Sequence, residues 1–278
     1  MLKLPDKLSI DFIKSLENTD VISNYSLDDR IKIAEYCENE IEDEYYVCNI
    51  IKKVMTKSEL LVPEIGFSDS DVEMLFCEDS KKRAELFFND YTYYGEIYIN
   101  NDAIMYEEFC KLLLNNSNFS NKQLLNSIIL GSKNYNELNN NLTNKINDFS
   151  IRDIIHILEM DVFSIYLNDI FPNITSEDKK LDVLEKYSKN HPNSINHNVI
   201  ISLSQQNIMK FVDFCNTNNI ELDILSISNH VQGDEYLSKL YKEYYKKFDS
   251  HHILLKIKNE ELRYNLLKEY PLKYNLYI

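Results

Sequence analysis

Apolar positions recur at helical spacing through the first sixty residues. Ile10, Ile13 and Leu16 mark a short helix within Ser9 to Asn18. Leu27, Ile31, Ala34, Cys37 and Ile41 then form one stripe behind the capping-type sequence Ser26-Leu27-Asp28-Asp29. Val47, Ile50, Ile51 and Val54 give a third helix its apolar face, and Pro63 ends the pattern because proline cannot continue a helical hydrogen-bond ladder. From Asp71 the period changes to two: Val72, Met74 and Phe76 alternate with Glu73, Leu75 and Cys77, Ala84, Leu86 and Phe88 alternate with Glu85 and Phe87, and Ile97 and Ile99 flank Tyr98. Three such runs, separated by 78–82 and 89–95, predict an antiparallel meander at about 71–100.

The helical period returns after Asp102. Asp102, Ser120, Ser150 and Ser176 each stand where an N-cap belongs, ahead of apolar stretches such as Ile151, Ile154, Ile155, Leu158 and Val162. Asparagine competes with the helical backbone for hydrogen bonds, so the Asn-rich stretch 134–147 is expected to be a loop. Pro172 closes a long helix ending near Phe171. Asn190-His191-Pro192-Asn193-Ser194 has linker composition. Beyond it, the runs 198–204 and 220–227 read as strands flanking a helix that bears Ile208, Phe211, Val212 and Cys215. A helix from Asp234 to Phe248, a strand from His252 to Lys258 and a helix from Glu260 to Tyr270 follow. The expected fold is therefore α+β. A mostly helical domain at 1–190 contains the meander, a linker spans 191–197, and a small α/β module occupies 198–278. No repeat of fixed period is evident, although the helices at 103–171 could stack as a small array.

Composition narrows the chemistry. Across 278 residues, 30 Lys and Arg stand against 45 Asp and Glu, a net charge of −15, and this argues against nucleic acid as a partner, since phosphate binding needs clustered cations. The four glycines, at 66, 95, 131 and 233, are too scattered for a glycine-rich phosphate cradle. The five cysteines never form Cys-x-x-Cys, so reduced core thiols are expected and neither zinc nor a cofactor is called for. The first residues lack a signal-peptide core, and no window holds 18 uncharged apolar residues. A cytoplasmic protein that does not span a membrane is the expectation.

The charge is polarised. Residues 1–100 hold 11 basic and 22 acidic side chains, a balance of −11, whereas 151–278 hold 15 and 18, a balance of −3. Glu35, Glu38, Glu40, Glu42, Asp43 and Glu44 are the densest part, and on a continuous helix Glu35, Glu38 and Glu42 would share a face. Like charges at that spacing repel unless something cationic relieves them. An ordinary solvated face explains the same run. The partner-binding candidates are Glu35, Glu38, Glu42, Asp43 and Glu44, and the function they suggest is an inhibitor, immunity-type or adaptor protein that binds a basic protein.

The alternative is a metal-dependent hydrolase or nuclease acting on phosphodiesters or nucleotides. Asp69, Asp71 and Glu73 would alternate onto one strand face with Glu85 on a neighbour, a geometry able to hold a hard cation through oxygen. Glu221 and Asp223 repeat the pattern on the second strand of the C-terminal unit. Arg152 and His156 stand four apart on one predicted helix, and His191, His197 and the His251-His252 pair lack partners at metal-ligand spacing. Tyr236, Tyr241, Tyr244 and Tyr245 with Lys239, Lys242, Lys246 and Lys247 form the one basic, aromatic helix, a pattern more often belonging to a half-exposed packing face.

Overall fold

The computed structural model describes residues 1–63, 65–192, 195, 197–246 and 250–271. All regular structure among them is helical. The helices are α1 (Ile10–Ser15), α2 (Val21–Asn24), α3 (Leu27–Glu40), α4 (Glu44–Val54), α5 (Lys57–Leu60), α6 (Asp69–Phe76), α7 (Ser80–Asn89), α8 (Tyr93–Asn101), α9 (Ala103–Asn116), α10 (Lys122–Leu130) and α11 (Tyr135–Asn144). They continue as α12 (Ile151–Glu159), α13 (Leu167–Ile170), α14 (Glu177–Asn190), α15 (His197–Ile201), α16 (Gln205–Asn218), α17 (Ile224–His230), α18 (Asp234–Tyr244), α19 (Ser250–Lys256) and α20 (Glu260–Glu269). Two compact units divide the chain, one of residues 1–142 with 160–164, the other of 143–159 with 165–278. The segment 191–197 falls within the span of the second, and its residues 193, 194 and 196 lie outside the described residues.

The expected α+β fold is thus replaced by an all-helical one, and the meander at 71–100 is three helices. Its supposed turns are caps. Ser68 and Asp71 form a reciprocal capping box at the start of α6, Asp79 accepts from the N–H groups of Lys81 and Lys82 at 2.9 Å each, and the Thr92 hydroxyl accepts from Gly95 N–H at 2.9 Å. In the third run the two-residue alternation arose because Ile97, Tyr98 and Ile99 of α8 are all in the core, which erases the polar stripe that marks an amphipathic helix. Gly95 is needed there, since a Cβ would lie 2.4 Å from a ring carbon of fully buried Phe87.

In the first unit α3 packs on α4, the helices α4, α6 and α8 contact one another, and α7 and α9 lie side by side. Buried Arg30 of α3 fastens this region. Its guanidinium donates to Val54 O at 2.8 Å and to both oxygens of Glu59 at 2.8 and 2.6 Å, while Glu59 completes the capping box that starts α5. The Asn-rich stretch is helix α11 rather than a loop. The Asn134 side chain accepts from Glu137 N–H at 2.9 Å, and Tyr135, Leu138 and Leu142 are fully buried, so capping and burial outweigh weak propensity.

The second unit is a stack of helix pairs. The longer helices α12, α14, α16, α18 and α20 begin at 151, 177, 205, 234 and 260, which is 26 to 29 residues apart, and each packs on the next. The short helices α13, α15, α17 and α19 form a second row in the same manner. A polar ladder fixes the spacing. The Glu177 carboxylate accepts from Ser204 N–H at 2.8 Å, the Gln205 carbonyl from Gln232 N–H at 2.7 Å, and Asp234 from Lys258 and Asn259 N–H groups at 2.8 Å each. Helices α14, α16 and α18 thus each hold, from their first residue, the entry to the next longer helix. A repeat is therefore present where no fixed period was legible. The three strands expected at 198–204, 220–227 and 252–258 fall on or beside α15, α17 and α19. Those helices run five to seven residues, too short to display a 3.6-residue period, and are buried through Val199, Ile200, Ile224, Ile227, Ile253 and Leu254.

Candidate functional site

The densest acidic stretch breaks at a corner. Helix α3 stops at Glu40, Ile41 adopts an extended conformation, and α4 begins at Glu44 with Asp43 as its N-cap, accepting from Tyr46 N–H at 3.0 Å. Glu42 therefore leaves the face that Glu35 and Glu38 were expected to share with it, because the helix that would align them ends first. The electrostatics differ along the stretch. Glu38 and Glu40 sit at the C-terminal end of α3, where the helix dipole opposes negative charge and no basic residue occupies the last turn, whereas Asp43 and Glu44 sit at the favourable N-terminal end of α4.

The corner is one wall of a groove of about 250 Å³. Glu38, Glu42 and Glu44 stand with Tyr93 and Tyr94 from the start of α8, and Ile41, Val47, Cys48 and Ile97 supply the apolar lining, the last three buried. The phenols organise the carboxylates: Tyr93 donates to Glu44 at 2.6 Å and Tyr94 to Glu38 at 3.5 Å. The Tyr94 ring is stacked on Phe67, with centroids 5.3 Å apart and planes at 16°. Crowding by protein atoms raises the Glu38 carboxyl above its ordinary range, and the nearby charge of Glu35 adds to this against the opposing Tyr94 hydrogen bond. Among the described residues no lysine, arginine or histidine forms an ion pair with Glu38, Glu42 or Glu44.

Glu35 faces another cleft, of about 690 Å³, between the N-terminal segment and α3. Lys3, Asp6, Asp29, Lys32, Tyr36 and Glu40 line it with mixed charge. The two tyrosines of the groove lay outside the candidate set, because Asn89 to Gly95 read as a turn between strands. Nothing local to residues 93 and 94 signals proximity to an acidic corner some fifty positions earlier.

The carboxylates of the hydrolase reading are distributed differently from their expected strand register. A helix turns about 100° per residue, so Asp71 and Glu73 of α6 project in divergent directions. Asp71 is engaged by Ser68, Glu73 lies 3.5 Å from the Lys82 ammonium, and Glu85 of α7 is exposed. Asp223 caps α17 through Ser226. Among the described residues no group of three or more His, Cys, Asp or Glu side chains is placed to hold a metal ion. Burial holds the Cys37 and Cys110 thiols up at about 11 and those of Cys48 and Cys215 at about 12, so all four stay protonated and poorly nucleophilic near neutrality.

Burial likewise lowers the His156 imidazole. His191 stacks on Tyr187 with centroids 4.5 Å apart and lies 3.8 Å from Glu159. On α18, Tyr241 and Tyr244 are buried, Lys239 pairs with Asp213 at 2.5 Å, and Lys247 and the expected helix end at Phe248 lie outside the described residues. No helix among the described residues is long and apolar enough to cross a membrane. Comparison with family models, curated proteins and solved structures gave no match.

Proposed function

We propose that this protein is a cytoplasmic interaction protein whose acidic N-terminal region engages a basic protein partner. The observation that carries this reading is the gathering of Glu38, Glu42 and Glu44 around one groove with no ion-pair partner among the described residues. Carboxylates held together without counter-ions repel one another, and a cationic surface would relieve that repulsion while steering its own approach. Stacked helix pairs support the same reading, since such arrays commonly present their surfaces to other proteins. The buried, unpaired thiols suit a reducing compartment. An inhibitor, an immunity-type protein and an adaptor all operate by this kind of recognition.

The test is kinetic. A partner captured from the native cell should associate at a rate that falls steeply between low and physiological salt, and replacing Glu38, Glu42 and Glu44 with Gln should slow association at least several-fold with the fold intact. An unchanged rate for the triple variant would move the interface elsewhere.

A further inference from the structure

We propose that the groove between the α3–α4 corner and the start of α8 is a socket for an arginine side chain of the basic partner. The inference rests on the function proposed above and adds what enters the groove. Its lining of Ile41, Val47, Cys48 and Ile97 suits the aliphatic stem of a long side chain, and its rim of three carboxylates demands a positive head. A groove of about 250 Å³ takes one such side chain rather than a helix.

The choice of arginine over lysine follows from the two rings. A guanidinium is planar, stacks on aromatic faces and meets carboxylates through two parallel hydrogen bonds, whereas an ammonium is a compact, strongly hydrated point charge. Tyr94 is held by its stacking on Phe67, and Tyr93, 53% exposed, crosses it at 72° with centroids 5.6 Å apart, so aromatic surface stands beside the carboxylates. The hydrogen bonds from Tyr93 to Glu44 and from Tyr94 to Glu38 set the acceptors before the cation arrives, which reduces the ordering cost of binding. A cation at this position would favour the charged form of Glu38, whose crowding by protein atoms opposes ionisation.

The probes are a fluorescein-labelled arginine-glycine peptide and its lysine-glycine counterpart of equal length, titrated by anisotropy at low salt. The arginine peptide should bind about threefold or more tightly than the lysine peptide, the margin expected of ring stacking at a partly exposed site. Tyr93→Ala, which changes no charge, should abolish that margin, and so should Tyr93→Leu, which keeps apolar bulk without a ring and is the second variant should the first fail to fold. Equal affinities in the wild type, or a margin that survives in the folded variants, overturns the socket. Salt-sensitive binding without preference for arginine removes the socket alone and leaves the acidic-region reading standing. Failure of both peptides to bind the wild type removes both.

Discussion

Glu59→Gln isolates the contribution of one ion pair to the N-terminal unit. Glutamine still serves the capping box with Thr56, so the substitution mainly removes the charge that Arg30 grips. Arg30 holds the Glu59 carboxyl down at about 2, from an ordinary 4.5. At 1.36 kcal/mol per pH decade that displacement corresponds to a ceiling of about 3 kcal/mol. The Glu59 side chain retains 22% of its exposure, so solvent screening brings the expected loss to about 2 kcal/mol. The pH dependence has a definite sign. A folded-state value below the unfolded one stabilises fully above 4.5, and the contribution disappears as pH falls toward 2. Urea unfolding followed by circular dichroism at several pH values should show wild type more stable than Glu59→Gln at pH 7, with the gap closing as the solution is acidified. A gap of constant size from neutrality down to pH 3 would refute the electrostatic origin assigned to it, and no gap at all would mean the pair offsets only its own desolvation.

Gly95→Ala should destabilise by about 1–3 kcal/mol although the same change ordinarily stabilises a helix interior by about 1, because the added carbon meets buried Phe87; an unchanged melting temperature would show that the ring can move. Asp234→Ala removes the acceptor for two backbone N–H groups at the entry to α20, and hydrogen exchange should quicken in α20 before α14. Under native conditions a thiol reagent should label Cys77 first and the buried Cys37, Cys48, Cys110 and Cys215 slowly, all five reacting after denaturation; a second fast thiol contradicts this burial pattern. Should 191–197 join separately folding regions, limited proteolysis will cut there first, and a first cut elsewhere moves the boundary.

Where the sequence carried a complete local signal, its reading and the structure coincide. Ser26 caps α3 as its sequence implied, although the buried face runs through Arg30, Ile33 and Cys37 and of the expected stripe only Cys37 is buried; Val47, Ile50, Ile51 and Val54 became the buried face of α4, and Ser176 caps α14. The acidic polarity of the first hundred residues was equally legible, since charge is countable without a fold. Helix and strand could not be separated where tertiary burial overrides the period. Ile97, Tyr98 and Ile99 of α8 are all in the core, and α15, α17 and α19 are too short to turn twice, so their apolar runs look the same in either conformation.

The stacked pairs of the second unit escaped notice for a related reason. What recurs every 28 or 29 residues is a position in space, filled by Glu177, Gln205 or Asp234 as available, because any side-chain oxygen can accept from the next helix entry. The groove depends on tertiary structure most of all. Glu38, Glu42 and Glu44 announce themselves as acids along the chain, but that Tyr93 and Tyr94 stand among them follows from the packing of α8 on α4, a long-range contact that local spacing does not encode.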